Sequence, residues 1–481
     1  MTNLLTTGSA AGRPARRRFS AIAVLAALAL TAGACSRSSS DVESPTSADG
    51  GTTTSAPVGA VGAGEFGNLK DVCGPGNAKG ATAQGVTDKE IRLGTISDAG
   101  FTGRPGLNQE LWDASKVFTD WCNAAGGING RTLIFDELDA KLFEYKQRIT
   151  EACQNDFALV GGGGVFDETG QDERLNCLLP DIPGFQVSSK ARGAELAVAP
   201  LPTALDETAI AALQYLDGKY PDSTDKVGFI TGNLPATIMI DKQNQEAAKS
   251  LGWKIPYQSQ YNAAGESSWT PFAQALQSKG IKGLVYTGEP ENMSKLLQAI
   301  DDISYKLKWV LVGANHLDQK LIDLGGKAVR NVYLYSAVVP FFEADKNPAT
   351  KQYQDLFAKY LPDGKNNALL GVNAFSAWLL FAKAAKACGS DLTRKCLYKE
   401  LSSVKSWNGG GLHAETDPSS AKGSRCGIVV EGTPNGFIVP KDFKLTNGLF
   451  RCADDSVLAL KGDYGKGATL ADQDKSLADL Q

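Results

Sequence analysis

Histidine is scarce, with two residues in 481, and the nine cysteines include no Cys-x-x-Cys pair. A His/Cys metal centre therefore lacks its usual ligands at the spacing it needs. Catalytic signatures are missing too: HExxH, GxSxG and a P-loop do not occur. Three Ser-x-x-Lys matches, at Ser223, Ser402 and Ser419, lack the SDN and KTG motifs that accompany them in penicillin-interacting enzymes. Residues 62–67 spell Gly-x-Gly-x-x-Gly, yet no strand pattern precedes them and no helical one follows, so they carry no dinucleotide reading. Neither an enzyme nor a cofactor is expected.

Positive charge is also in short supply. Formal net charge is -4, and the first 34 residues hold four arginines and no acid, leaving 45 basic against 53 acidic side chains, or -8, in the remainder. That balance argues against a nucleic-acid partner. Long apolar runs are absent as well. Residues 21–30 are too few to span a bilayer as a mature helix, and residues 368–387 are interrupted by Asn373, Lys383 and Lys386.

What is present begins with a targeting segment. Arg13, Arg16, Arg17 and Arg18 precede the apolar residues 21–30, and small residues then lead to Ala32-Gly33-Ala34-Cys35, a bacterial lipobox with alanine where leucine is commonest. Residues 1–34 read as a signal peptide and Cys35 as the lipidation site after export, with cleavage near Ala34 and a free cysteine as the alternative. The arginine cluster fits the twin-arginine route as well as ordinary n-region charge. Residues 35–70 are rich in Ser, Thr, Gly, Ala and Pro, and such a composition predicts a disordered, lipid-attached tether. The mature protein is expected outside the cell, held by lipid to the outer face of the bacterial membrane. In that oxidising setting the other eight cysteines predict four disulfides. Connectivity is open in principle. Nearness along the predicted fold favours Cys73 with Cys122, Cys153 with Cys177, Cys388 with Cys396 and Cys426 with Cys452.

Strand and helix patterns alternate through the body of the chain. Residues 91–96, 132–135, 157–160 and 182–187 read as strands, followed by a second series at 227–231, 284–287, 309–312 and 332–335. Between them Leu111, Ala114, Phe118 and Trp121 recur at helical spacing, as do Met293, Leu296, Leu297, Ile300 and Ile303, and Ala374, Trp378, Phe381 and Ala385. The pattern predicts an α/β protein with parallel sheets and crossover helices, and the length predicts two lobes.

Between the first helix and the second strand lies NAAGGINGR, residues 123–131, whose glycines supply backbone angles that other residues resist. With GVTD at 85–88, the first strand, the helix and DELD at 136–139, it makes five elements in order, and the segment resembles the leucine/isoleucine/valine-binding family of type I periplasmic binding proteins. The resemblance implies two lobes, each a parallel sheet flanked by helices, with three interlobe crossovers. Lobe one would join residues 72–203 with 337–423, and lobe two 204–336 with 424–455; the polar residues 456–481 read as a loose tail. The family also carries a bridge like Cys153–Cys177. The implied function is a solute-binding lipoprotein that captures a small polar molecule between its lobes and delivers it to the permease subunits of an ABC importer. A ligand sensor of the same fold is the alternative.

In open parallel sheets, ligands settle outside the carboxyl ends of the strands. This rule selects Ser97, Phe101 and Thr102 after the first strand, Gly163, Gly164, Val165, Phe166 and Asp167 after the third, and Ser188 and Ser189 after the fourth. From the second lobe it selects Asn233, Thr287, Glu289 and Asn315. Their gathering into one cleft is implied by the resemblance. The glycine run 161–164 reads either as a flexible turn or as a place where backbone approaches a ligand. The family usually has serines near Gly164 and Val165 to hold an amino acid's carboxylate, so branched-chain amino acids are expected to bind weakly; Ser188 and Ser189 match a later small-polar pair and remain as donors. Phe101 and Phe166 either stack on a ligand or bury against their own lobe. Asp167 either caps the next helix or faces the cleft, and His316 is expected at the surface or hinge.

Overall fold

A computed structural model describes residues 63–481. The signal peptide, Cys35 and the tether up to residue 62 lie outside those residues.

Lobe one is built on β1 (Glu90–Ser97), β2 (Thr132–Asp139), β3 (Ala158–Val160) and β4 (Asp181–Ile182), connected by α1 (Gln109–Ala124), α2 (Tyr145–Asn155) and α3 (Gln171–Asn176). All pairings are parallel in the order β2-β1-β3-β4, with Leu93 opposite both Phe135 and Ala158. The second series runs β5 (Glu207–Ala209), α4 (Ala211–Lys219), β6 (Val227–Gly232), α5 (Pro235–Ser250), β7 (Tyr257–Tyr261), α6 (Thr270–Ser278), β8 (Gly283–Thr287), α7 (Pro290–Asp302), β9 (Trp309–Val312), α8 (Gln319–Gly325) and β10 (Val332–Ser336). The chain then returns to lobe one for α9 (Pro348–Tyr360), α10 (Leu369–Cys388) and α11 (Arg394–Ser402). It finishes with β11 (Cys426–Thr433), β12 (Gly436–Ile438), β13 (Arg451–Cys452) and β14 (Val457–Ala459). In lobe two the order is β12-β11-β10-β9-β8-β6-β7, parallel from β7 to β10, with β11 antiparallel to β10. The chain passes between the sheets three times, between β4 and β6, between β10 and α9, and between α11 and β11.

Helix α10 is apolar on nearly every side because it is buried on nearly every side, with Lys383 and Ala387 exposed, and it packs on α1, α11 and the ends of β3 and β4. Trp378 stacks on Phe118 with ring centroids 5.5 Å apart, and its indole N–H donates to Ser115 Oγ at 2.7 Å. No helix among the described residues is long and apolar enough to cross a membrane. The NAAGGINGR connector is held by Asn123, whose side chain bonds both the amide and the carbonyl of Leu133. Gly127 sits at φ +74°, where an added Cβ would lie 2.0 Å from the Arg131 carbonyl oxygen. All four bridges form as paired in the sequence, with Cα separations of 5.2 Å for Cys73–Cys122, 5.9 Å for Cys153–Cys177, 6.0 Å for Cys388–Cys396 and 4.1 Å for Cys426–Cys452.

Three expectations are corrected. The strand expected at 182–187 ends at Ile182, because Pro183 has no N–H to donate and the chain turns away from the sheet. The end of the tether is not disordered: Phe66 is fully buried, 4.9 Å from the Phe375 ring and 6.1 Å from Trp121, which builds residues 63–70 into lobe one. The C-terminal tail is not loose. Strand β14 pairs with β5, and Tyr464 donates to Glu246 on α5 at 2.6 Å. Ala468 then exchanges backbone hydrogen bonds with Lys190 and Glu195, and Leu470 and Leu480 bury against Leu175 and Leu196. The segment thus adds a further passage, from lobe two back to lobe one. A few well-placed apolar residues suffice to order a segment whose average composition is polar.

Candidate ligand cleft

Loops at the carboxyl ends of both sheets enclose a cavity of about 390 Å³, within the range of small-molecule sites. From lobe one it is lined by Leu107 and Asn108 after β1, Val165 after β3, residues 183–187 after β4, and Leu369, Leu370 and Asn373 from the first turns of α10. Lobe two contributes Leu234, Thr237 and Ile240 at the start of α5, residues 286–291 at the end of β8 and beyond it, and residues 313–315 after β9. The walls are chiefly aliphatic and aromatic, with polar groups set among them.

Buried polar groups fix these loops. Ser97 donates to the Asn108 carbonyl at 2.9 Å, setting the residue that opens α1 with φ 58°. Asp98, wholly buried, accepts from the amides of Leu142 and Val165, both at 2.9 Å. Burial pushes its carboxyl above the usual range, against the lowering effect of those two bonds. Asp167 plays a similar part. Its carboxylate accepts from Val187 at 2.7 Å and Ser188 at 3.0 Å, and burial raises it to about 6. It therefore neither caps a helix nor lines the cavity; it ties the loop after β3 to the loop after β4.

Ion pairs cross the cleft. Arg104, from lobe one, lies 3.0 Å from the Glu289 carboxylate and donates to the Ala263 carbonyl at 3.0 Å, both in lobe two. Burial raises the Glu289 carboxyl, opposed by Arg104. Lys365 bridges Glu110 of lobe one, at 3.0 Å, and Asp318 at the start of α8, at 2.7 Å. Within lobe two, Glu291 pairs with Lys320 at 2.9 Å. One cation on the wall has no such partner: Arg192, in the turn after β4, is 8% exposed and forms no ion pair among the described residues. Its Nε has no hydrogen-bond partner there, and neither do the buried Asn108 Nδ2, Thr287 Oγ1 and Asn373 Oδ1, which also line the cavity. Burial lowers the Arg192 guanidinium to about 10, with the charge of Asp167 acting the other way.

The candidates selected from the sequence divide. Val165, Thr287, Glu289 and Asn315 line the cavity, and Asn315 also donates to the Gly288 carbonyl at 2.9 Å. Ser97, Asp167 and Ser188 are buried behind the walls. Thr102 and Asn233 are exposed, and Asn233 accepts from the Ala263 amide at 3.0 Å. Phe101 and Phe166 pack with Phe143 on their own lobe, Phe166 stacked on it at 5.4 Å. The glycine run serves packing within the protein: a Cβ on Gly163 would lie 2.3 Å from the Phe185 carbonyl oxygen, and one on Gly164 would lie 2.6 Å from the Tyr145 ring. Ser189 sits beside Gly465 of the C-terminal segment. His316 is not at the surface but fully buried, edge-on to Tyr286, and burial lowers it to about 4.

Sequence reasoning missed Arg192 and the α10 residues. Arg192 stands between Ala191 and Gly193-Ala194, three positions beyond Ser189, with Lys190 and Glu195 close by, so nothing in the sequence sets it apart from ordinary surface charge. The contribution of α10, which begins at Leu369, comes from a part of the chain remote from that loop and carries no local signal.

The family model for periplasmic binding protein matches residues 202–436. Among solved structures, a fatty acid ABC transporter substrate-binding protein from Thermomonospora curvata is similar at TM-score 0.65 and 19% identity, over 79% of this chain and 100% of that one. A leucine-binding protein from Thermotoga maritima is similar at TM-score 0.62 and 13% identity, over 76% and 99%. A possible leucine/isoleucine/valine-binding protein from Rhodopirellula baltica gives TM-score 0.63 and 16% identity, over 73% and 96%. No curated protein matches in sequence. The chain has the fold of a type I periplasmic binding protein, so the fold that the resemblance of residues 85–139 implies is borne out. That fold is related to those of ABC transporter substrate-binding proteins.

Proposed function

We propose that this chain is an extracytoplasmic solute-binding lipoprotein, anchored through Cys35, that captures a small molecule between its lobes and delivers it to the permease subunits of an ABC importer. The observation that carries the reading is the cavity lined from both lobes, with buried polar atoms on its walls that have no protein partner. A solute touching both walls stabilises the closed arrangement over the open one, and only such differential affinity moves the population. The importer would read the closed form. The apolar walls shift the expected solute from a small polar molecule to one with a substantial hydrocarbon or aromatic part. The reading draws support from the Thermomonospora curvata neighbour, named for fatty acid transport. Native mass spectrometry of gently purified protein tests it. One small molecule retained per chain is the expected result; a protein that neither retains nor binds any solute overturns the reading.

A further inference from the structure

Resting on the solute-binding reading, we propose that the solute is a monocarboxylate with an apolar body and that Arg192 receives its carboxylate. The wall charges discriminate among ligand classes. Every acid on the cavity surface already holds a cation: Glu110 and Asp318 share Lys365, Glu289 holds Arg104, and Glu291 holds Lys320. Arg192 alone is left over, and it is buried. The charge of Asp167 does not serve it as an ion pair, because that carboxylate is turned to the amides of Val187 and Ser188. An unpaired buried cation is costly, so a site that keeps one is arranged for an anion that arrives from outside.

The geometry of the group selects the anion. A guanidinium presents a planar fork that matches a carboxylate with two parallel hydrogen bonds. A phosphate dianion would need a second cation, and every other cation on the walls is committed to an acid. The cavity that Arg192 lines is walled mainly by aliphatic side chains, among them Leu107, Val187, Leu201, Leu234 and Leu369, so the remainder of the solute is apolar. Asn108, Thr287 and Asn373 leave room for a hydroxyl or carbonyl on that body. The arrangement also supplies what the loop at Gly164 and Val165 lacks, a group that holds a carboxylate.

Calorimetric titration tests the proposal with octanoate, decanoate, phenylacetate and phenylpropionate, each beside its primary amide, and with whatever molecule native mass spectrometry finds retained. The expected result is that at least one acid binds, that its amide binds about ten- to a hundred-fold more weakly, and that Arg192→Met removes this difference by weakening the acid alone. Arg192→Lys should fall between the two, since it keeps the charge and loses the fork. The ligand-free Arg192→Met protein should melt no lower than wild type, because it loses an unpaired buried charge; a purely structural arginine would show the opposite. The acid–amide comparison in wild type stands even if the variant does not fold. Acid and amide binding equally, no acid binding, or a retained molecule that is cationic or neutral overturns the proposal while leaving the solute-binding reading intact. A protein with no small-molecule binding at all overturns that reading instead.

Discussion

Substituting Arg104→Met should open the cleft and weaken solute binding by about a hundred-fold. Arg104 and Glu289 are 10% and 14% exposed and 3.0 Å apart, so the pair joins the two lobes in this structure. Removing one partner of a buried pair costs about 3–5 kcal/mol, because the other charge is left uncompensated. That cost falls on the closed state, since in an open cleft both groups meet water. The lower end applies here, because burial already raises the Glu289 carboxyl and it can take up a proton instead of remaining charged. About 3 kcal/mol corresponds to roughly two decades in apparent affinity. The Ala263 carbonyl is not orphaned, as Asn292 also donates to it at 3.2 Å. Replacing both charges, Arg104→Met with Glu289→Met, should recover binding to within about ten-fold of wild type. Calorimetry with the retained solute and small-angle scattering of the three proteins measure affinity and closure together. If the single and double variants bind alike, or the single variant binds like wild type with unchanged scattering, the ion pair does not control closure.

Other outcomes follow from the same structure. Asp181 is raised to about 7 and Asp156 to about 8, both by burial first, so their folded pKa values lie above the unfolded value near 4. The folded state then binds more protons, and the stability these groups contribute is present at low pH and lost as pH rises through about 7 to 8; the thermal midpoint should be higher at pH 6.5 than at pH 8.5, and an equal or lower value contradicts this. Below pH 6.5 His316 and His413, both lowered to about 4, oppose this trend, while Asp167 and Asp241, both raised to about 6, add to it. Leu470→Ala, which removes a buried side chain from the C-terminal segment, should cost about 2–5 kcal/mol in urea unfolding if that segment is part of the fold, and nothing if it is a loose tail. Cys35→Ala should move the protein from the membrane fraction to the soluble one; a wild type already soluble and unmodified after export would remove the anchor from the account.

Most strand positions, helix stripes and disulfide partners were legible because each rests on local pattern or short separation along the chain. Phe118, Trp378 and Met293 bury as their spacing predicted. Of the residues selected by the rule that ligands sit beyond strand ends, Val165, Thr287, Glu289 and Asn315 line the cavity. It could not tell a loop's inward side chains from those that hold the loop, which is why Ser97, Asp167 and Ser188 turned out to be supports. Arg192 was hidden because its meaning lies in what fails to pair with it, a property only the packed structure has. Composition misjudged both termini of the fold, where Phe66, Leu470 and Leu480 each anchor a polar stretch.

Hydrogen exchange of the protein with and without its retained solute tests the central claim most directly. Capture between the lobes predicts that residues 183–192 of lobe one and residues 286–291 and 313–315 of lobe two gain protection together when the solute binds. Protection confined to one lobe, or appearing away from these loops, would contradict capture between the two.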